Sequence, residues 1–296
     1  MQYRADALGL AGQVTTIFRE LVHERLGLFY DAAQFDQLAD RLAPLVVARG
    51  MTSFMDYYYL LKYSDDKDEW GRVMDALAVH ETYFWRESDQ MRAVVDHVVP
   101  RLVDELQGHP LQIWSVPCAS GEEPLTLAMM LDEARWFDRA AIEVFGSDAS
   151  QAVITKARNG RYGPRAFRNL PAAIRDKYFT PEGDHWLVSP ALRRRVSYDV
   201  VNVVSPDEVA RHAAAPIVFC RNLFIYFSDQ SITRTLEAMA RWMPERGYLC
   251  VGASESLLRL RTAFELQELG GAFVYVKGTH ATSPLSTPGR GMRGYE

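Results

Sequence analysis

The chain has 296 residues, of which 48% are hydrophobic and 24% charged, and its formal net charge is −5. This composition excludes wholesale disorder and argues against general nucleic-acid binding, and the longest apolar runs are too short to cross a bilayer. The three cysteines, Cys118, Cys220 and Cys250, lie scattered among apolar residues, which favours buried thiols in a reducing compartment over a disulfide framework or zinc site. We therefore expect a cytoplasmic protein with no metal site and no direct membrane insertion.

The first part of the chain has helical periodicity. Up to about residue 108, apolar residues recur at three- and four-residue spacing, which predicts helices throughout. We predict an N-terminal helical domain over residues 1–90, followed by a linker helix over residues 91–108.

From Leu111 the pattern changes to short apolar runs that alternate with helical segments, which predicts a mainly parallel sheet of the α/β type. The predicted strands are 111–116, 142–145, 196–204, 217–220, 248–251 and 272–276. We predict a helix over 257–268, and the run 273–276 fits an antiparallel strand at the sheet edge. Residues 279–296 are rich in Gly, Pro, Ser and Thr, which predicts a disordered tail.

Charge is unevenly distributed along the chain. Residues 1–90 carry 9 basic and 15 acidic side chains, whereas residues 156–195 carry 10 basic and 3 acidic, a local balance of +7. This segment is either an ordinary solvated surface or a cationic docking surface. In the second case we expect Arg193, Arg194 and Arg195 to contribute to docking.

A loop of small residues follows the first predicted strand. The segment PCASGEEP, residues 117–124, leads from this strand into a helix, and ligands of α/β sheets bind beyond the carboxyl ends of the strands. Neither G-x-G-x-x-G nor G-x-x-x-x-G-K-[ST] occurs at this strand-to-helix loop, so the usual phosphate cradles are missing there. Because Glu122 and Glu123 stand at the start of the helix, the loop favours a cationic or zwitterionic ligand over a polyanion.

An acidic residue ends the second predicted strand. Asp148 is placed either to accept hydrogen bonds from ribose hydroxyls or to cap the helix predicted over 150–158. Taken with the loop, it favours a nucleoside ligand without phosphates, and S-adenosylmethionine fits because its sulfonium and amino groups are cationic.

Six motifs, in this order, carry a family resemblance. They are HETYFWRE (80–87), ASGEEP (119–124), GSD (146–148), KARNGRY (156–162), FCRNLFIYF (219–227) and GASESL (252–257). Over about residues 15 to 277 the chain resembles the CheR-type chemotaxis receptor methyltransferases. It departs from the family at Trp85, where phenylalanine is common, and at His80, where an amide is more usual.

The resemblance implies an N-terminal helical domain followed by a doubly wound methyltransferase domain over 109–278, with a small β subdomain inserted at about 160–200. It implies that S-adenosylmethionine donates a methyl group to glutamate side chains of chemoreceptors, leaving S-adenosylhomocysteine. The partner is then the cytoplasmic domain of a membrane chemoreceptor, and we expect a monomer that binds no nucleic acid. The residues implied in cofactor binding are His80, Thr82, Arg86, Glu123, Asp148, Asn202, Val203, Arg221 and Asn222; Arg86 and Tyr226 are the implied catalytic residues.

The chemistry needs few specialised groups. A glutamate carboxylate has a reference pKa of about 4.3, so it is ionised at neutral pH and needs no general base. A guanidinium such as Arg86 can orient a carboxylate, although an ion pair with Glu87 or Glu123 is the structural alternative. Two other functions stay open: methyl transfer to a small acid, and a binding module that senses the cofactor without catalysis.

Overall fold

The computed structural model describes residues 12–64 and 66–278. The predicted tail, 279–296, lies outside the described residues, as do the first residues of the predicted helical domain. Four helices open the fold: α1 (Gly12–Leu26), α2 (Phe35–Ala48), α3 (Phe54–Tyr63) and α4 (Lys67–Leu77). Side-chain caps start two of them, because Ser53 accepts the N–H of Asp56 at α3 and Asp66 accepts the N–H of Glu69 at α4.

The linker region is helical, but the segment before it is not. Helix α5 (Ser88–Ala93), a π-helical turn (Val94–Val98) and α6 (Val99–Leu106) run almost continuously. Residues 78–87, in contrast, contain no regular helix, so the prediction of helices throughout was wrong there. Trp85 and Glu87 have φ angles of 66° and 47°, which a right-handed helix does not accommodate.

The remaining described residues, up to Gly278, form two sheets and six further α-helices. The strands are β1 (Leu111–Ser115), β2 (Ile142–Asp148), β3 (Arg161–Tyr162), β4 (Phe179–Glu182), β5 (His185–Val188), β6 (Val196–Val200), β7 (Ile217–Phe219), β8 (Tyr248–Cys250), β9 (Phe264–Leu269) and β10 (Ala272–Lys277). The helices are α7 (Glu122–Glu133), α8 (Gln151–Asn159), α9 (Ala172–Tyr178), α10 (Pro190–Arg193), α11 (Pro206–Ala210) and α12 (Asp229–Trp242). No helix within the described residues is long and apolar enough to span a membrane.

The main sheet has the strand order β6-β2-β1-β7-β8-β10-β9. The first five strands are parallel, and β10 pairs antiparallel with both of its neighbours. The sequence prediction of a mainly parallel, doubly wound α/β domain after a helical domain is therefore confirmed. Because the parallel strands all end at one edge, the loops that follow them meet there.

The end of the sheet differs from the prediction. Residues 264–269 form the edge strand β9 rather than part of a helix, and β10 lies between β8 and β9 rather than at the edge. Gly270 and Gly271, with φ angles of 55° and 81°, form the two-residue turn of this hairpin. The strand predicted over 196–204 is also shorter, since β6 ends at Val200.

The N-terminal helical domain and the main sheet share part of the buried core. Successive residues of β1 point to opposite faces, so Ile113 lies in one buried cluster and Trp114 in the other. The cluster of Trp114 also contains Phe18 and Tyr57 of the N-terminal helices. The helical domain is therefore packed on one face of the sheet through apolar contacts. Cys118, Cys220 and Cys250 are all free and buried, as the sequence predicted.

A small antiparallel sheet of order β3-β5-β4 lies within residues 160–200, where a β subdomain was expected. Phe84, which is fully buried, joins it to the 78–87 segment through ring contacts with Tyr162, Phe167 and Phe179 at 4.8 to 5.2 Å. The three arginines 193–195 immediately precede β6, at the end of the sheet opposite to its carboxyl ends.

Candidate functional site

A cavity lies at the carboxyl ends of the parallel strands, between the sheet and the N-terminal helices. Side chains from six separate segments of the chain line it. All ten residues selected from the sequence are among them: His80, Thr82, Arg86, Glu123, Asp148, Asn202, Val203, Arg221, Asn222 and Tyr226. The fold thus brings the whole predicted set together.

The loop between β1 and α7 closes tightly against the sheet. Gly121 has φ of 93°, and a Cβ atom at this position would lie 2.7 Å from the hydroxyl oxygen of Tyr198. Only glycine combines this backbone conformation with so close an approach. The loop is thereby held so that Glu122 and Glu123 begin α7.

Backbone N–H groups from two loops hold the carboxylate of Asp148. Its carboxylate, 5% exposed as a residue, accepts the N–H of Ala119 at 3.0 Å and the N–H of Ser150 at 2.9 Å. Burial raises its pKa, and these hydrogen bonds oppose the rise. The hydroxyl of Ser150, not Asp148, caps α8 by accepting the N–H of Val153. The capping interpretation of Asp148 is therefore wrong, and its carboxylate is available to the cavity.

His80 faces the same part of the cavity. Its Nε2 atom is buried and has no hydrogen-bond partner among residues 12–64 and 66–278. Burial lowers the pKa of His80, while the charges of Asp148 and Asp75 oppose this effect. The buried, unpartnered nitrogen indicates a place where a polar ligand atom fits.

Arg221 forms the floor of the site. Its side chain is 1% exposed and pairs with Glu123 at 3.0 Å and with Glu87 at 2.9 Å. It also donates to the carbonyl oxygen of Arg86 at 3.1 Å. Burial raises the pKa of Glu123, and the guanidinium of Arg221 opposes this rise. The ion pair considered for Arg86 and Glu123 is thus made by Arg221.

Arg86 is turned toward the cavity wall. Its Nη1 atom donates to the carbonyl oxygen of Glu81 at 2.8 Å, and its guanidinium lies 5.7 Å from the ring centroid of Tyr83. The distance from its Nε to the carboxylate of Glu87 is 3.9 Å, which makes that ion pair a weak one. Arg86 therefore retains donors for a bound group.

Asn202 connects the sheet to the first helix. Its backbone N–H donates to the carboxylate of Glu208 at 2.8 Å, and its side-chain amide donates to the carbonyl oxygen of Arg25 at 2.8 Å. Val203 follows it and is buried in the apolar core while also lining the cavity.

Two carboxylates that support the site were not among the site residues selected from sequence. One is Glu87, a partner of Arg221. The other is Glu255, which accepts the N–H groups of Asn222 at 2.7 Å, Phe224 at 2.6 Å and Gly252 at 2.6 Å. Glu255 thereby orders the loop that carries Arg221, Asn222 and Tyr226. It stood within a recognised motif, but two of its partners, Asn222 and Phe224, are more than 30 residues away along the chain.

Comparison with known families agrees with this architecture. Residues 16–78 match the CheR methyltransferase all-alpha domain, and residues 80–271 match the CheR methyltransferase SAM-binding domain. The chain belongs to the CheR methyltransferase family.

Several curated proteins of this family are similar over most of the chain. Chemotaxis protein methyltransferase 2 of Vibrio cholerae is 31% identical over 92% of this chain and 96% of its own length. The probable biofilm formation methyltransferase WspC of Pseudomonas putida is 31% identical over 91% of this chain and 63% of its own. Chemotaxis protein methyltransferase Cher2 of Pseudomonas putida is 28% identical over 87% of this chain and 95% of its own.

The family resemblance drawn from the six motifs is thus confirmed, and this chain is an S-adenosylmethionine-dependent methyltransferase of the chemotaxis type. The donor set fits that cofactor: the carboxylates of Asp148, which is buried, and Glu123, which is largely buried, suit hydroxyl and ammonium groups.

Proposed function

We propose that this protein methylates glutamate side chains in the cytoplasmic domain of a membrane chemoreceptor. The observation that carries the proposal is the convergence on one cavity of the ten residues selected from sequence, of which His80 and Tyr226 are 146 positions apart. The products are a glutamate methyl ester and S-adenosylhomocysteine. We also propose that the protein acts as a monomer in the cytoplasm, where that receptor domain lies.

The proposed roles of the cofactor-binding residues follow from their chemistry. Asp148 accepts hydrogen bonds from the ribose hydroxyls, and Glu123 faces the amino group of the cofactor. His80 and Thr82 form polar contacts with the cofactor. Asn202, Val203, Arg221 and Asn222 complete the proposed pocket, with the last two held in position by Glu123, Glu87 and Glu255.

The proposed transfer is a direct displacement. Bound S-adenosylmethionine supplies an electrophilic methyl group. A carboxylate oxygen of the substrate forms the new O–C bond as the C–S bond breaks, and sulfur leaves with the electron pair, so no proton moves. The protein's contribution is to orient the reactants and limit water, an effect worth about 7 to 11 kcal/mol in well-oriented systems. Arg86 is proposed to orient the carboxylate, and Tyr226 to position polar groups beside the reacting atoms.

Two alternatives predict different results in the same assay. Purified protein is incubated with methyl-labelled S-adenosylmethionine and either a receptor cytoplasmic fragment, the same fragment with its candidate glutamates changed to alanine, or a panel of small carboxylic acids. Base-labile label on the intact fragment alone supports the proposal. Label on small acids alone indicates a small-acid methyltransferase, and cofactor binding without transfer indicates a sensing module.

A further inference from the structure

A hydrogen bond joins the helical domain to the loop that carries Asp148. The hydroxyl of Ser150, which lies between β2 and α8, donates to the carboxylate of Asp75 on α4. These two residues are 75 positions apart in the chain. Ser150 is fully buried and Asp75 is half-buried, so the hydroxyl has little access to water as an alternative partner.

Ser150 in turn holds Asp148. Its backbone N–H donates to Oδ1 of Asp148 at 2.9 Å, while the N–H of Ala119 donates to Oδ2 at 3.0 Å. Hydrogen bonds to both oxygens fix the rotation of the carboxylate, because each bond is directional. Each oxygen keeps a further lone pair with which it can accept a hydrogen bond from a ligand. The direction in which Asp148 faces the cavity therefore depends on the position of Ser150.

Two hydrogen bonds of its side chain determine the position of Ser150. The hydroxyl oxygen accepts the N–H of Val153 at 3.2 Å, which caps α8, and the hydroxyl proton is donated to Asp75. Since a hydroxyl has one proton and two lone pairs, the bond to Asp75 leaves the oxygen free to accept at the cap. Without Asp75 the buried donor would lose this partner, and the hydroxyl would no longer be held in one orientation.

The surroundings of this bond are polar. Asp75 and Gln151 both line an open cleft between α4 and α8, and most of the other side chains that line the cleft are polar or charged. Such groups bury little apolar surface, so packing contributes little to the alignment of the two helices there. The hydrogen bond between Asp75 and Ser150 is therefore the specific link between the helical domain and the loop at this point.

We propose that Asp75 is a positioning residue for cofactor binding, which acts through Ser150 to set the orientation in which Asp148 meets the ribose hydroxyls of S-adenosylmethionine. The inference rests on the proposed function and deepens it, because it makes ribose recognition a joint property of the helical domain and the methyltransferase domain. Asp75 lines the neighbouring cleft and not the cavity, so it has no direct contact with the cofactor in this scheme.

The test uses calorimetry to measure the binding of S-adenosylhomocysteine and of its analogue that lacks both ribose hydroxyls. Asp75→Ala removes the acceptor, and alanine suits the last turn of α4, where a negative charge is unfavourable. This variant should bind S-adenosylhomocysteine about three- to tenfold more weakly, as expected for loss of one hydrogen bond. It should bind the analogue as tightly as the wild type does, so the ratio of the two affinities should fall by the same factor.

Three further variants separate positioning from general stability. Asp75→Asn keeps an oxygen that can accept from Ser150, and it should restore the wild-type ratio to within about twofold. Asp68→Ala removes an exposed carboxylate from the same helix and the same cleft, and it should leave both affinities unchanged. In Asp75→Ala/Ser150→Ala the ratio should be no lower than in Ser150→Ala alone, because either change already breaks the contact.

An equal loss of affinity for both ligands in Asp75→Ala would overturn the inference, since Asp75 would then only stabilise the fold. Unchanged affinity for S-adenosylhomocysteine would also overturn it, as would a wild type that binds the two ligands equally well. None of these measurements involves methyl transfer. A receptor fragment that accepts no methyl group would therefore contradict the proposed function and not the role of Asp75.

Discussion

The guanidinium of Arg221 and the carboxylate of Glu123 lie 3.0 Å apart beneath the cavity, although 98 residues separate them in the chain. Arg221 follows β7 and Glu123 begins α7, so the ion pair joins two loops that line the site. The Arg221 side chain is 1% exposed and that of Glu123 is 14% exposed, and a buried charge that loses its partner is strongly destabilising.

Arg221→Met should therefore lower the free energy of unfolding by about 3 to 5 kcal/mol, because it leaves the largely buried Glu123 without its charged partner. Chemical denaturation measures the change. The matched double variant Arg221→Met/Glu123→Gln should recover part of the loss, since the uncompensated charge is removed. A single variant as stable as the wild type would contradict this account of the pair.

Asp148→Asn should weaken S-adenosylmethionine binding by about ten- to a hundredfold, since a charge-assisted hydrogen bond contributes about 1.5 to 3 kcal/mol. Asparagine keeps the size of the side chain and can still accept a backbone N–H. Calorimetry measures the affinity. Glu143→Gln, an exposed carboxylate-to-amide change on the same strand, should leave it unchanged. Equal affinities for the wild type and Asp148→Asn would remove this residue from the proposed pocket.

Tyr226→Phe and Arg86→Ala should reduce the single-turnover rate of methyl transfer about tenfold or more, a change of at least about 1.4 kcal/mol in the barrier. Their cofactor affinities should fall much less, because Arg86 is proposed to orient the substrate carboxylate and Tyr226 to position polar groups beside the reacting atoms. Rapid-quench kinetics and calorimetry give the two quantities. If rate and affinity decline in the same ratio, both residues act only in binding.

The pH dependence of stability should carry a contribution from Glu122. Burial raises its pKa to about 7, and the hydrogen bond from the Ser120 hydroxyl opposes the rise. The folded state thus binds more protons than the unfolded state between the ordinary glutamate pKa and about 7, so stability falls as pH increases through this window and levels off above it.

Glu122→Gln removes this contribution. Between about pH 5.5 and about pH 8, the wild type should lose about 2 kcal/mol of unfolding free energy more than the variant does. Denaturation at the two pH values measures the difference. The same pH response in both proteins would place the pKa of Glu122 close to that of an exposed glutamate.

Electrostatic steering should depend on Arg168 more than on Arg194. The guanidinium of Arg168 lies over the ring of Tyr83, which lines the cavity, whereas Arg194 precedes β6 at the opposite end of the sheet. Arg168→Glu should lower kcat/KM for an acidic receptor fragment about three- to tenfold at low salt, and added salt should reduce the effect. Arg194→Glu is the matched control, and a larger effect at Arg194 would instead favour docking on the arginine triplet.

The order of the motifs, the helical first domain and the mainly parallel sheet were predictable from sequence, because helices and buried strands have distinct apolar periods. The hairpin of β9 and β10 was not. Residues 264–269 alternate weakly and contain two glutamates, and only pairing with β10 across Gly270 and Gly271 makes them a strand.

At the site, sequence determined which side chains were available and tertiary structure decided their partners. Asp148, Glu123 and Arg221 stood in recognisable motifs, so their location after strands of one sheet followed from topology. That Arg221 pairs with Glu123 and Glu87, and that Glu255 holds the Asn222 loop, depends on contacts between segments distant in the chain. Hydrogen bonds are directional and short, so residue type and spacing do not specify them; only packing of the helical domain and the sheet brings these groups within reach.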